Sequence, residues 1–267
     1  MLITHEPYNT LMYKLYEKSG KPDLKWLLTE SLKIHYKLYY NPKSLTHGEL
    51  EILNKIYRIA VSYVDVAIGQ FIEILQKELN LDEVLVFITS DNGTLLGEHN
   101  LVFRGTIPYE QLIHVPLIVY YPGEKICLCI DKLVSLIDLM PMILTVANKM
   151  LSCNPIEILL DLASKIERRV TFTETVGSKM VFSCRTKKMK YILMIDENGT
   201  LHEKLYDLEA DPRESKNLAS HEGDLCKHFR KYVIKHIREV LHQRHVLMLK
   251  EKLKYIAKKL STLNSYY

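Results

Sequence analysis

Ser90-Asp91-Asn92-Gly93 sets a carboxylate beside an amide, directly after the apolar run Val84-Leu85-Val86-Phe87-Ile88-Thr89. Both side chains offer oxygen to a hard cation such as Ca²⁺ or Mg²⁺. In a parallel α/β sheet, ligands bind beyond the carboxyl ends of the strands. An acid that emerges from a buried strand is therefore placed where chemistry is done. Asn-Gly is also a common hairpin signal, and Asp-Asn-Gly serves as an ordinary turn. The continuation argues against the hairpin. Leu95-Leu96-Gly97-Glu98-His99-Asn100-Leu101 does not alternate, and the chain runs on through Val102-Phe103-Arg104-Gly105-Thr106-Ile107-Pro108-Tyr109-Glu110 before a second apolar run, Val115-Pro116-Leu117-Ile118-Val119-Tyr120-Tyr121. A long polar connection between buried strands is more often functional than ornamental.

The elements that must position this loop are legible in outline. Thr46-His47-Gly48-Glu49 has the form of a capping box, and it predicts a helix over 47–79 with apolar residues such as Ile52, Ile56, Ile59, Tyr63, Val64, Phe71 and Ile74 at helical spacing. Asp65, among them, is expected to be solvated or to cap a neighbour. Strands are predicted at 84–89 and near 115–120, then helices from Ser135 to Ala147 and from Asn154-Pro155 to about 163. Val170–Glu174 alternates as a strand. Beyond it, Lys179–Arg185, Lys190–Ile195 and Glu203–Leu208 read as short antiparallel strands, with Glu197-Asn198-Gly199 as a hairpin turn. A basic helix over roughly 221–260 finishes the chain. His242 and His245 share one face of it, and a solvated basic face is the expected reading. Residues 11–45 look partly helical.

The chain has 267 residues, 47% of them apolar, and a net charge of +4. That length suits one large domain or a domain with a small appendage, and that charge does not indicate a nucleic-acid binder. The 5 cysteines are scattered and odd in number, which suits neither a disulfide framework nor a zinc site. Cys127 and Cys129 are expected on one face of a strand. Reduced thiols imply the cytoplasm. No segment is expected to have the length and apolarity of a transmembrane helix, and the first residues do not read as a signal peptide.

The run Ser90-Asp91-Asn92-Gly93, Leu96-Gly97-Glu98-His99, Arg104-Gly105, Tyr109-Glu110, Val115-Pro116-Leu117-Ile118, Pro122-Gly123 resembles the C-terminal signature of sulfatases, members of the alkaline-phosphatase-like superfamily. Other segments agree in order. They are Thr4-His5-Glu6-Pro7-Tyr8-Asn9, Tyr63-Val64-Asp65 with Ile68-Gly69, Val134-Ser135-Leu136-Ile137-Asp138-Leu139-Met140-Pro141, Lys190-Tyr191-Ile192, and Glu203-Lys204-Leu205-Tyr206-Asp207-Leu208-Glu209-Ala210-Asp211-Pro212 with Glu214 and Asn217-Leu218.

The resemblance implies an α/β fold: a partial alkaline-phosphatase or sulfatase-like sheet flanked by helices over 1–175, and a small antiparallel α+β subdomain with a long terminal helix over 176–267. It implies that Asp91 and Asn92 supply metal ligands, usually to Ca²⁺. Arg104 falls where the family has a sulfate-contacting Lys; a surface Arg in a loop is the other reading. His5 matches a His that binds the sulfate or assists the leaving oxygen; an exposed terminal His is the alternative. His99 is expected to have a structural or supporting role, and Asp138 to pack or cap a helix. The family's nucleophile is a formylglycine made in a Cys/Ser-x-Pro-x-Arg motif, which this chain lacks; Cys184-Arg185-Thr186 has no proline. The family's Asp-Asp pair is also missing, and both belong to a half that would precede residue 1.

The expected activity is divalent-metal-dependent hydrolysis of sulfuric esters, inactive in this chain alone, with Ca²⁺ held weakly. The substrate would be a sulfate ester once an N-terminal half completes the site; self-association or a complementation partner is the expected association. A phosphodiester or phosphonate monoester hydrolase and a non-catalytic interaction protein are the alternatives. Asn92, where the phosphoester relatives often carry His, tilts toward sulfate.

Overall fold

A computed structural model describes residues 29, 33, 34, 37, 45–79, 84–103, 105–121, 127–149, 155–165, 168–176 and 180–243. His5 and Arg104 lie outside them, as do His242 and His245 as side chains and most of 11–45. The chain forms two compact units. One comprises Met1–Ile88, Thr94–Arg104 and Ile118–Lys125; the other comprises Thr89–Gly93, Gly105–Leu117 and Ile126–Tyr267.

The first unit is built on helix α1, His47–Glu78. Thr46 is extended, its hydroxyl accepts from the Glu49 N–H at 3.3 Å, and the Glu49 carboxylate accepts from the Thr46 N–H at 2.6 Å. The predicted capping box is therefore formed. Lys37 Nζ adds contacts of 2.9 and 2.8 Å to both Glu49 oxygens. Leu53 and Ile56 are buried, and Asn54 Nδ2 donates to the Leu96 carbonyl at 3.2 Å. Past this packed start the apolar face goes uncovered: Val61, Val64, Phe71 and Ile74 are all exposed, Ile74 at 58%. Asp65 is exposed, as expected. By length and composition alone α1 is apolar enough to cross a bilayer, which corrects the expectation that no segment is.

Strand β1, Val86–Thr89, pairs with β4, Leu117–Tyr120. Neither strand is fully buried, and Ile118 is exposed, so the expectation of buried strands gives way to half-buried ones. Between them the polar connection folds back as β2, Leu95–Leu96, against β3, Val102–Phe103, in the register Leu95↔Phe103 and Leu96↔Val102. The sequence carries no alternation there because each strand is only a residue pair. The turn uses positive-φ backbone at Gly97 (121°), His99 (57°) and Asn100 (56°), and Phe103 in β3 also has a positive φ, 62°. Gly97 adopts this freely; a bulky residue such as Phe103 does so only at a cost.

The second unit centres on a four-stranded antiparallel sheet in the order β5 (Thr171–Val176), β6 (Met180–Arg185), β7 (Met189–Ile195), β8 (Leu201–Asp207). The predicted strands and the Asn198-Gly199 turn are present, with Gly199 at φ 75°. A short helix α2, Glu110–Ile113, precedes α3, Leu139–Lys149, and α4, Pro155–Lys165; α5, Gly223–Gln243, follows the sheet. Alternation gives the sheet two faces. Phe182, Cys184, Tyr191, Leu193, Ile195 and Leu205 turn to α5, where Cys226, Phe229, Val233, Ile234 and Ile237 form the apolar stripe. Lys190, Ile192 and Tyr206 turn to the other side and are buried there.

Ser135 opens the turn Leu136–Asp138 ahead of α3, and Asp138 accepts from the Ser135 N–H at 2.8 Å. Asp138 is thus a capping residue, held also by Arg168 at 2.6 and 2.7 Å. Ile137 and Met140 are exposed at 77% and 64%. Residues 127–130 form no strand, so Cys127 and Cys129 share no strand face; both are exposed and free.

Lys37 and the Thr46 amide hold the Glu49 carboxyl down from 4.5 to about 2. A depressed carboxylate stabilises the fold fully above its unfolded value and loses that contribution as pH falls toward the folded one. Glu49→Gln should cost about 1 kcal/mol at pH 7. The gap between variant and parent should close progressively below about pH 4.5. Denaturant unfolding followed by helical circular dichroism at pH 7, 5 and 3.5 checks it.

Candidate metal centre and its support

The loop Thr89–Gly93 leaves β1 and is organised by its own short side chains. Ser90 Oγ donates to the Asn92 carbonyl at 2.8 Å, the Asn92 N–H donates to Asp91 Oδ1 at 2.8 Å, and Asn92 Nδ2 donates to the Gly93 carbonyl at 2.7 Å. With its amide nitrogen turned back to the chain, Asn92 presents its oxygen as an acceptor. Asp91 is exposed and Asn92 half-buried. The hairpin reading of Asp-Asn-Gly falls away, because β1 pairs with β4 and not with the residues that follow Gly93.

Both ends of the loop are tied to one later segment. Thr89 Oγ1 donates to the Pro116 carbonyl at 2.7 Å, and the Gly93 N–H donates to the Leu112 carbonyl at 2.8 Å. Gly93 must be glycine on space alone: a Cβ there would fall 1.9 Å from the Gln111 carbonyl oxygen.

That segment is fastened to the sheet by a group of charges with no role assigned from sequence. Arg185 on β6 and Lys190 on β7 are direct cross-strand partners, and like charges so placed repel. Glu110 lies between them. Arg185 Nε reaches both its carboxylate oxygens at 3.1 Å, and Lys190 Nζ lies 3.2 Å from Oε1. Lys190 also sits 2.9 Å from Glu214 Oε1, and Glu214 Oε2 accepts the Glu110 N–H at 2.6 Å. Lys190 and Glu214 are both fully buried. Glu214 reaches inward from left-handed backbone at φ 55°. Beside them, buried Tyr109 accepts from Lys204 Nζ at 2.7 Å.

Burial pushes the Glu110 carboxyl up, but the Lys190 and Arg185 cations outweigh it and hold it below the usual carboxylate range. Burial pulls the Lys190 ammonium below its ordinary value, with Glu214 and Glu110 opposing. The available signal for these residues was the signature itself: Tyr109-Glu110, Lys190-Tyr191 and Glu214 all stand in matched segments.

Asp91 and Asn92 are brought together on one loop; His5 and Arg104 lie outside the described residues. Among the described residues, no group of three or more His, Cys, Asp or Glu side chains is placed to hold a metal ion. A carboxylate oxygen and an amide oxygen fit a hard cation in type. In number they make part of a coordination sphere, since Ca²⁺ takes about 6–8 oxygens. Cys184 in the sheet is fully buried, and burial pushes its thiol up to about 12, which disfavours the thiolate that a nucleophile needs. Cys153-Asn154-Pro155-Ile156-Glu157 comes nearest to the Cys-x-Pro-x-Arg pattern, with Glu in place of Arg.

A sulfatase family model matches residues 4–149, more than half the chain. Arylsulfatase K of Rattus norvegicus is 31% identical over 215 residues, covering 73% of this chain and 38% of that protein. An arylsulfatase of Clostridium perfringens is 31% identical over 194 residues, covering 68% and 39%. The chain thus spans less than two fifths of the length of these curated relatives. In fold it is similar to a solved sulfatase-family structure from Bacteroides fragilis, with a TM-score of 0.60 at 21% identity, covering 87% of this chain and 52% of that one. Phosphonate monoester hydrolase of Agrobacterium radiobacter gives a TM-score of 0.58 at 20% identity, covering 72% and 42%.

Removing one partner of a buried ion pair leaves the other uncompensated, at a cost of about 3–5 kcal/mol. Lys190→Met should lose about that much in urea unfolding, and Lys190→Met with Glu214→Leu should recover part of it. Gly93→Ala should destabilise by about 1–3 kcal/mol through overpacking, measured the same way.

Proposed function

The chain belongs to the sulfatase family, and on that premise we propose that it is the C-terminal portion of a sulfuric ester hydrolase, with Asp91 and Asn92 as two of the ligands to a divalent cation. The observation that carries this reading is the Asp91-Asn92 loop at the end of β1, its oxygens presented by the loop's own hydrogen bonds inside the matched region. A cation held there would polarise sulfate oxygens and stabilise charge on the transferring group. Asp91 would bring negative charge to it, and Asn92 a neutral oxygen that adds none beside an anionic substrate.

Arg104 would bind the sulfate bidentately, and it remains charged at any working pH. His5 would protonate the leaving oxygen, as a His can near neutrality. The residues of this chain contain no Cys/Ser-x-Pro-x-Arg nucleophile. Covalent chemistry would therefore come from a complementing N-terminal portion of the fold. The apolar faces support such complementation: Val64 and Phe71 on α1, and Ile137 and Met140 at α3, are exposed, and exposed apolar surface of that kind marks interaction sites. Asn92 favours a sulfate ester over the phosphoester and phosphonate chemistry of the wider superfamily. The scattered, odd-numbered cysteines favour a cytoplasmic location.

The test is an aryl sulfate assay with Ca²⁺. The chain alone should show no turnover. Co-expressed with a sulfatase N-terminal portion that supplies the formylglycine, it should give Ca²⁺-dependent turnover that Asp91→Ala lowers by about 100-fold or more. Turnover by the chain alone would contradict the proposal, and inactivity of every pairing would favour a non-catalytic interaction protein.

A further inference from the structure

We infer that Glu110 is a positioning residue for the Asp91-Asn92 loop: it transmits the rigidity of the antiparallel sheet to the proposed cation ligands. The inference rests on the metal reading above for what the loop is for, but its geometry stands separately.

The path is short and continuous. Arg185 and Lys190 are fixed in register on β6 and β7. Their side chains hold the Glu110 carboxylate at 3.1 and 3.2 Å, and Glu214 holds the Glu110 backbone N–H at 2.6 Å. Glu110 is thus gripped at both its side chain and its main chain. It is the first residue of α2, a single turn ending at Ile113. That turn presents the Leu112 carbonyl to the Gly93 N–H at 2.8 Å, and the Gln111 carbonyl stands where a Cβ of residue 93 would be. The contact is therefore both a hydrogen bond and a close steric fit. Asp91 and Asn92 are the next residues back. A turn as short as α2 has little stability of its own, so its place is set by what grips its first residue. Charge-assisted hydrogen bonds are the strongest such grip available, and burial keeps water from competing with them.

Amide hydrogen exchange of the full chain, resolved by residue, tests this. In Glu110→Gln the Gly93 and His114 amides should exchange about 10–100-fold faster, the factor expected for loss of a charge-assisted hydrogen bond. The amides of Tyr191, Leu193 and Leu205 in the sheet should keep their parental rates. Arg185→Gln should repeat the pattern more weakly, and Arg185→Lys, which keeps the charge, should largely restore protection at Gly93. Should Glu110→Gln not fold, the two Arg185 variants carry the comparison. Unchanged exchange at Gly93, or equal acceleration throughout the sheet, would overturn the inference, the second by showing a role in general stability only. None of these rates depends on whether a cation binds. A failure of the metal reading would leave the exchange pattern intact, and a failure of positioning would leave cation binding to be measured by itself.

Discussion

Two cations stand directly opposite one another on neighbouring strands, Arg185 on β6 and Lys190 on β7, and the ammonium of Lys190 has no access to water. Such an arrangement repels itself and pays heavily for desolvation unless carboxylates come to it. Glu110 and Glu214 do, so two positive and two negative groups meet in one cluster, with Lys190 and Glu214 buried and Arg185 and Glu110 half-buried. This constraint reaches far along the chain. Glu110 comes from the connection that leads to β4, and Glu214 from the turn after β8. Satisfying the sheet cations therefore fixes the 109–116 segment, and that segment holds both ends of the Thr89–Gly93 loop. A charge requirement in a structural sheet thereby bears on where the Thr89–Gly93 loop is held.

The opposite face of the same sheet obeys a different rule. There the residues alternate with the charged ones and meet α5 in an apolar core. The division of labour follows from the two-residue period of a strand: Lys190 and Tyr191 are neighbours in sequence, yet one enters an ion cluster and the other a hydrophobic core. Elsewhere apolar side chains remain outside. The stripe on α1 and the residues at the start of α3 leave apolar side chains exposed, and the chain matches 52% of a solved chain of similar fold.

Local interactions were the legible ones. The α1 start was readable because a capping box is complete within four consecutive residues, Thr46 to Glu49. The strands of the antiparallel sheet were readable from alternation and from the Asn198-Gly199 turn. Asp91 and Asn92 stood out because an acid and an amide followed an apolar run. The Glu110 cluster was illegible as physics, since its contacts join residues 75, 80 and 104 positions apart; the matching signature marked Glu110, Lys190 and Glu214 but not Arg185. The β2–β3 hairpin is not legible because each strand is only a residue pair, too short to show alternation, and its turn spans Gly97 to Asn100 in positive-φ backbone. The bilayer-length apolar window of α1 is hard to read from sequence because charged residues such as Asp65 and Glu73 interrupt its apolar run.

The most direct test of the account is a crystal structure of the full chain grown with Ca²⁺. The account predicts a cation about 2.3–2.6 Å from side-chain oxygens of both Asp91 and Asn92, with water completing its sphere and the Gly93–Leu112 hydrogen bond in place. A structure saturated with Ca²⁺ at other sites, with Asp91 and Asn92 bearing none, would contradict it.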